Sequence, residues 1–505
     1  MAYAITQTCC SDASCVSVCP VNCIHPTPDE PDFGTTDMLY IDPRSCIDCG
    51  ACADACPVDA IFPAERLTAP LAAFAEVNAA YYDKRPEPAA AADPAPNFHA
   101  WSPPVFDRDI PSDFRALDVA VVGTGPAGMY AVEDLLLHTS SRVTLIDRLP
   151  TAGGLVRYGV APDHTSTKRI GETFARFYDH PRLKLQLGVE VGRDVSVDEL
   201  AAHHDAVIYA VGASAARSLG LRGEDLPGSL AATDVVAWYN SHPEVPADAV
   251  DLSAERVVVV GNGNVALDVA RLLSADPSTL EDSALAPEVL AKLRDSAVRE
   301  VVLLGRRGPE SAAYTRPELL GLQHLDGVEL VVDDHDPVVG KTIDAAEPDE
   351  KAGLLQGLRR EAIDWSRPPE PGRRIVLRFN SAPVELLGDT AVERLRTTGP
   401  DEDVDIAAGR VVRAVGYRGE PLAGLPFDEG TATIRNTGGR VDGMPGNYVV
   451  GWIKRGPSGG IGANRICAQE TVGNLLADAV AGELPKPKRS AKAFARLAAR
   501  RARKR

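Results

Sequence analysis

The stretch that decides the fold is DVAVVGTGPAGMYAVEDLLLHTSSRVTLID, residues 118–147. DVAVVG (118–123) is a short apolar run rich in β-branched residues, and RVTLID (142–147) is a second. Between them the pattern predicts a helix from Gly125 to His138, so the stretch reads as strand, glycine turn, helix, strand. The turn is Gly123-x-Gly125-x-x-Gly128, with Pro126 and Ala127 in its loop. Glycine at these places allows the tight turn and the close approach of backbone to a pyrophosphate, which then sits on the helix N-terminus. Asp147 closes the second strand nineteen residues after Gly128, where a carboxylate meets a ribose hydroxyl. This is a dinucleotide-binding βαβ unit.

Working outward, the same pattern returns at RVVVVG (256–261), with Gly261-x-Gly263-x-x-Ala266, a helix from Asn264 to Leu273, a polar insertion (274–298) and the strand EVVLLG (300–305). Its second strand ends in Arg306 and Arg307 rather than in an acid. A guanidinium there pairs with a 2′-phosphate that a carboxylate would repel. The bland alternative is a surface arginine pair; the strand-end position favours NADP. An acid at the first site and a basic pair at the second imply FAD plus NADP(H). Such a chain accepts hydride and passes electrons on.

Further strands read at LKLQLGVEV (183–191) and DAVIYAVGA (205–213). From 328 to 415 short strands alternate with turns and one helical region near 350–365. YVVGWIKRG (448–456) enters a glycine-rich turn, followed by a helix from Asn464 to about Ala481. The expected division is a FAD-binding domain over 115–212 and 416–484, an NADP-binding domain over 213–415, and an Ala/Pro-rich linker over 69–114. That linker includes RPEPAAAADPAP (85–96).

The N-terminus carries a different chemistry. Of ten cysteines, nine lie between Cys9 and Cys56, and Cys467 stands alone. Cys46-x2-Cys49-x2-Cys52-x3-Cys56-Pro57 is the bacterial ferredoxin run, whose fourth cysteine serves the other cluster. A degenerate copy upstream reads Cys9-x2-Asp12-x2-Cys15-x3-Cys19-Pro20. Crossed ligation assigns Cys46, Cys49, Cys52 and Cys19 to one 4Fe–4S cluster. Cys9, Cys15 and Cys56 hold a second, whose fourth ligand the spacing leaves open. Paired cysteines at this spacing also suit zinc, the competing reading. Cys23 reads as an unligated thiol near the complete cluster. Residues 1–68 are thus a two-cluster α+β ferredoxin domain in front of an α/β flavoprotein with two Rossmann-like domains.

The chain of 505 residues is long enough for three or four domains. It contains no run of eighteen apolar residues, so no membrane span is expected, and no secretory signal is apparent, so a cytoplasmic location is expected. A net charge of −18 makes nucleic acid an unexpected partner. Residues 1–68 hold ten acidic against two basic side chains, whereas the basic tail (485–505) holds ten Lys or Arg and no acid. Such a run reads as a solvated end. Lys454 and Arg455 either dock an acidic ferredoxin or are simply solvated.

Residues 1–68 resemble the seven-iron and eight-iron bacterial ferredoxins, which implies that the second cluster is 3Fe–4S or 4Fe–4S, with Asp12 and Cys10 as candidate fourth ligands. Residues 116–482 resemble the adrenodoxin-reductase family of ferredoxin–NADP reductases. The stretches that carry this are VVGTGPAGMYA (121–131), GLVRYGVAPDH (154–164), VGNGNVALDVARLL (260–273), GRRGP (305–309) and GWIKRGPSGGIGAN (451–464). The resemblance implies FAD contacts around Pro126 and Ala127 and at Asp147, Leu155, Val191, Trp452, Gly459, Gly460 and Ile461. It implies NADP contacts from Asn262 to Val265 and at Arg306, Arg307 and Glu318, with Gly459 where nicotinamide meets flavin. His164 would relay a proton or fix the flavin, the alternative being a structural histidine. Gly153, Thr165, Gly460 and Ala463 depart from the family pattern. The implied activity is NADPH-dependent ferredoxin reduction. Electrons would pass through FAD and the clusters to an external ferredoxin or a cytochrome monooxygenase. An electron-relay subunit like the small subunit of glutamate synthase is the alternative.

Overall fold

The computed structural model describes residues 2–83, 108, 110–348 and 350–502. The stretch 85–96, expected as linker, lies outside the described residues, as does the end of the basic tail (503–505).

The cysteine module is two copies of one short motif. Strand β1 (Tyr3–Ile5) pairs antiparallel with β4 (Ile61–Pro63), and β2 (Ile24–His25) with β3 (Tyr40–Ile41). Helices α1 (Ser14–Val18) and α2 (Ala51–Ala55) follow left-handed residues, Ala13 at φ 61° and Gly50 at φ 76°. Each ends on an extended cysteine, Cys19 (φ −73°, ψ 114°) and Cys56 (φ −75°, ψ 117°). Helix α3 (Ala73–Asp83) closes the module by burying Phe74, Val77 and Tyr82 against it. Its Asn78, 2% exposed, accepts from Ile5 N (3.1 Å) and Ile41 N (2.9 Å) and donates to Ile5 O (2.8 Å), tying β1 to β3.

The first large sheet is built on β5 (Asp118–Val122), β6 (Arg142–Ile146), β7 (Leu183–Gln186) and β8 (Ala206–Tyr209). With Asn447–Val449 these strands run parallel in the order Asn447–Val449, β8, β5, β6, β7. Two short antiparallel strands, Asn436–Thr437 and Arg440–Val441, extend the edge. Helix α4 (Pro126–His138) links β5 to β6 and packs on the C-terminal helix Ala463–Val480. The chain leaves this sheet after β8 and returns only at 436, and its two crossings pair as Ala215–Ala216 with Tyr417–Arg418.

Between the crossings lies a second seven-stranded sheet, parallel throughout. Its order is Ser229–Ala231, Arg410–Arg413, Arg256–Val260, Glu300–Leu304, Arg373–Arg378, Val328–Asp333 and Arg359–Glu361. Val257 to Val260 and Val301 to Leu304 are all buried, which is why these central strands read as unbroken apolar runs rather than alternating ones.

Two expectations change here. The helical region expected near 350–365 is a helix at Pro337–Ala345, a single 3-10 turn at Gly353–Leu355 and the edge strand Arg359–Glu361. Asp336 starts the helix early by accepting from Val338 N (2.9 Å) with Pro337 in the first turn. The charged Arg359–Glu361 survives as a strand because a sheet edge tolerates charge.

The basic tail is not simply solvated either. Its residues 491–502 form a helix whose Phe494 and Ala498 are buried, the Phe494 ring lying edge-on to His203 (5.8 Å) and His204 (5.1 Å). Arg501 pairs with Glu199 (2.7 Å), and that guanidinium holds the Glu199 carboxyl down to about 2. Apolar residues at i and i+4 give this helix one packing face, while Lys492, Arg496 and Arg500 stay outside. No helix among the described residues is long and apolar enough to cross a membrane.

Candidate functional site

The cysteine module brings together the two sets of thiols that crossed ligation would use. Cys19, Cys46, Cys49 and Cys52 converge on one empty space of about 280 Å³, walled by Tyr3, Val21, Cys23 and Ile41. Cys9, Cys15 and Cys56 converge on another of about 260 Å³, walled by Ile5, Cys10, Asp12, Leu39 and Val58. The short helices α1 and α2 each bury one cysteine, Cys15 and Cys52, and send the next, Cys19 and Cys56, across to the other space. Backbone N–H groups already point at the crossing sulphurs. Cys23 N donates to Cys19 Sγ (3.4 Å) and Ala60 N to Cys56 Sγ (3.3 Å). The buried Cys23 thiol lies 3.4 Å from Cys19 Sγ, and its hydrogen bonds hold Cys19 down to about 5 and Cys46 to about 6. Four thiols around an apolar-walled space, two of them (Cys19 and Cys46) with hydrogen-bond donors that favour the thiolate, fit a cuboidal cluster.

At Asp12 the carboxylate is engaged by its own loop. It accepts from Ser14 N (3.3 Å) and from the Ser14 hydroxyl, and Arg465 stands 3.8 Å away.

The first glycine turn has the shape its sequence implies. Gly123 sits at φ 112°, and a Cβ there would lie 2.3 Å from Ala210 O. A Cβ on Gly128 would lie 2.0 Å from Gly123 O, so only glycine lets α4 approach β5. Gly125 is the N-cap of α4, with Pro126 and Ala127 in its first turn. Helix α5 (Gly154–Tyr158), which carries Leu155, meets this turn where Gly154 approaches Gly125. Asp147 Oδ2 accepts from Thr124 N (2.9 Å) and Thr124 Oγ1 (2.5 Å), and Oδ1 from Leu149 N (2.9 Å). The carboxylate is therefore oriented by the turn itself. Val191 is buried in an isolated bridge to Val195.

The second turn repeats the device: Gly261 at φ 124° passes Ala414 O, and Gly263 caps the helix Asn264–Ser274. Asn262 Oδ1 accepts from Ala313 N (3.2 Å) and Asn264 Oδ1 from Thr315 N (2.9 Å), so this loop is braced from 313–315. Val265 is half-buried beside them. Arg306 and Arg307 follow the strand Glu300–Leu304 and are both exposed.

A polar cluster lies between these sites. His164, Asp268 and Glu318 bring ligating atoms within 4.8 Å of one another. Burial raises the Glu318 carboxyl, and Asp268 beside it adds to the rise. Arg271 grips Asp163 through two bonds (2.7 and 3.0 Å) and Asp268 through one (2.8 Å). Burial alone would raise Asp163, but Arg271 outweighs it and holds that carboxyl low. Asp268 and Arg271 were not singled out by sequence reasoning. Their signal was present: two charged residues at i and i+3 within VALDVARLL, an otherwise apolar helix.

Tyr417 joins this cluster to the C-terminal loop. Burial and Asp268 push its hydroxyl up to about 12, and its ring lies 5.3 Å from that of Trp452. Trp452 Nε1 donates to Ser458 O (3.1 Å) and Gly459 O (3.3 Å), holding the exposed loop that contains Gly459 and Gly460. Gly459 adopts φ 74°, and Ile461 packs into the core shared by the cysteine module and the first sheet. Lys454 is neither solvated nor docking, since it bonds Glu470 (2.6 Å) and Thr471 (3.1 Å). Arg455 bonds Asn464 (3.2 Å). Cys467 is a buried helix residue whose sulphur accepts from Gly451 N (3.2 Å).

Fold and site thus define a two-site dinucleotide oxidoreductase behind an iron–sulphur module, and comparisons with known proteins match both parts. The pyridine nucleotide-disulphide oxidoreductase family matches residues 117–278, and the 4Fe-4S binding domain family matches 39–62. A probable ferredoxin/ferredoxin–NADP reductase of Mycobacterium tuberculosis is 48% identical over 499 residues, covering 96% of this chain and 85% of that protein. The human mitochondrial NADPH:adrenodoxin oxidoreductase is 37% identical, covering 76% and 84%. The solved structure of M. tuberculosis FprA in complex with NADPH is 42% identical, with a TM-score of 0.70, covering 77% of this chain and 90% of that one. The chain belongs to the ferredoxin–NADP reductase family, in the form that carries a ferredoxin domain in front.

Proposed function

We propose that the protein takes hydride from NADPH onto FAD and releases electrons singly, through two iron–sulphur clusters, to an external ferredoxin or cytochrome monooxygenase. The observation that carries this is the pair of glycine turns, with exposed Arg306 and Arg307 after the strand Glu300–Leu304 of the second unit, in one chain with two cysteine-walled spaces. FAD when bound interconverts a two-electron donor and one-electron acceptors.

The chain's own residues divide the remaining tasks. Gly123, Gly125 and the start of α4 hold the FAD pyrophosphate, and Asp147 is preset by Thr124 toward the ribose. Asn262 to Val265 hold the NADP pyrophosphate while Arg306 and Arg307 bind the 2′-phosphate. Glu318, whose carboxyl is raised above the usual carboxylate range by burial, stands beside His164, and the pair can hold and pass a proton. The proposed division is clusters in 1–68, FAD in 115–212 and 416–484, and NADP in 213–415. The two sheets with their paired crossings at 215–216 and 417–418 support it.

The second cluster is proposed to be 3Fe–4S, because the Asp12 carboxylate is occupied by Ser14 and faced by Arg465. An anaerobic NADPH titration followed by absorbance and electron paramagnetic resonance tests the function. Flavin bleaching with reduction of iron–sulphur signals is expected, with seven irons and one FAD per chain. Zinc in place of iron, or FAD that NADPH leaves oxidised, would refute the function; eight irons would refute the three-iron assignment.

A further inference from the structure

The two cysteine-walled spaces are not equivalent in their surroundings. Among the described residues, the polar contacts that join the module to the rest of the chain fall on three segments, each bordering the space of Cys9, Cys15 and Cys56. First, Gly462 N donates to Cys10 O (2.9 Å). A Cβ on Gly462 would stand 2.1 Å from Ser11 O and 2.5 Å from Asp12 N, so the two backbones touch because this residue has no side chain. Arg465, one turn further on, reinforces the contact by donating to Ser14 Oγ (3.2 Å) and Asp12 O (3.4 Å). Second, Arg169 pairs with Asp59, three residues past Cys56. Third, Arg316 N donates to Asp37 Oδ2 (2.9 Å), two residues before the wall residue Leu39.

This places the cluster loop on the flavin loop. Ser11 is two residues from Cys9, at most about 7 Å of chain, and Gly462 is three residues from Gly459, at most about 11 Å.

The space of Cys19, Cys46, Cys49 and Cys52 faces outward. Cys49 is exposed. Ile47 is 58% and Val18 40% exposed, two bare apolar side chains next to ligands of the same space, with exposed Asp48 and Asp54 beside them. An apolar patch rimmed by carboxylates fits a protein whose own redox centre is rimmed by Lys and Arg. The module's inner side makes the same kind of match, with Asp59 on Arg169 and Asp12 near Arg465.

We propose that the module is docked in one fixed order. The Cys9–Cys15–Cys56 wall is the inlet, seated on the flavin loop by Gly462 and Arg465. The Cys19–Cys46–Cys49–Cys52 wall is the outlet, where Val18, Ile47, Asp48 and Asp54 receive an external acceptor with a basic face. This rests on the function proposed above. Each NADPH becomes NADP+ and yields one proton to solvent and two electrons. The electrons cross the Ser11–Gly462 contact singly, and two one-electron reductions of the acceptor balance them.

The test uses full-length holoprotein with basic cytochrome c as the acceptor probe. Arg465→Glu is expected to speed amide exchange in 10–14 by about tenfold or more while 46–52 stays as in the native protein. It should also slow NADPH-driven reduction of both cluster signals, with ferricyanide reduction unchanged. Val18→Lys/Asp54→Lys is expected to leave cluster reduction as in the native protein and to slow cytochrome c reduction about tenfold or more. Arg465→Glu that changes neither exchange nor cluster reduction would overturn the inlet. An unchanged cytochrome c rate in the double variant would overturn the outlet. If exchange responds as expected but NADPH reduces no cofactor in the native protein, the functional reading falls with the inlet–outlet order, and the contact stands.

Discussion

Replacing Asn78 with leucine should melt the cysteine module ahead of the flavoprotein. The side chain is almost fully buried and serves Ile5 N, Ile5 O and Ile41 N, none of which leucine can satisfy. Three buried backbone groups left unpaired cost about 1–3 kcal/mol each, so about 3–9 kcal/mol together, of which about 5 kcal/mol is a conservative value. Burying the leucine methyls returns about 2 kcal/mol, because leucine branches at the same atom as asparagine and no cavity opens. A net loss of about 3 kcal/mol shifts the midpoint of a 60–100-residue unit by about 12–24 °C. The assay is thermal bleaching of iron–sulphur absorbance in holoprotein, followed alongside release of flavin fluorescence. The cluster midpoint should fall by that amount while the flavin midpoint holds. A cluster midpoint within about 3 °C of native would show that α3 does not brace β1 and β3, and the reasoning would fail.

Alanine at both Arg306 and Arg307 should raise KM for NADPH by about 10- to 100-fold, the value of one or two exposed charge-assisted contacts, with NADH kinetics nearly unchanged. Equal losses for the two nucleotides would remove the 2′-phosphate role. Gly128→Ala places a methyl 2.0 Å from Gly123 O, so the purified variant should carry well under one FAD per chain; full flavin occupancy would contradict the turn geometry. Glu199, held at about 2 by Arg501, binds fewer protons in the folded chain than in the unfolded one. Its contribution to docking the helix 491–502 is therefore present above the usual carboxylate range and lost as pH falls toward about 2. Tryptic cleavage at Arg496 is too acid-sensitive to report this, so pepsin cleavage near Phe494 should appear on acidification and appear at higher pH in Glu199→Gln. Identical pH onsets would dismiss the ion pair.

Local rules carry far in this chain because its cofactor sites are built from contiguous sequence. The turns at Gly123 and Gly261 and the cysteine runs each place their groups within a few residues of backbone, so spacing alone implies geometry. The crossing over of Cys19 and Cys56 was legible for the same reason: one extended residue after a short helix sends each thiol to the other set. What the tertiary structure alone decided involves residues distant in sequence. Asn78 looks like any polar helix residue until it is found between β1 and β3, and 491–502 looks like a solvated basic run until Phe494 meets His203 and His204. The cluster of His164, Asp268 and Glu318 assembles from three separate elements through Arg271. Above all, nothing in the spacing of the cysteines says which wall faces the flavin loop. That depends on Gly462 meeting Ser11 across 451 positions of sequence, a close backbone contact that only the packing of the whole chain can make.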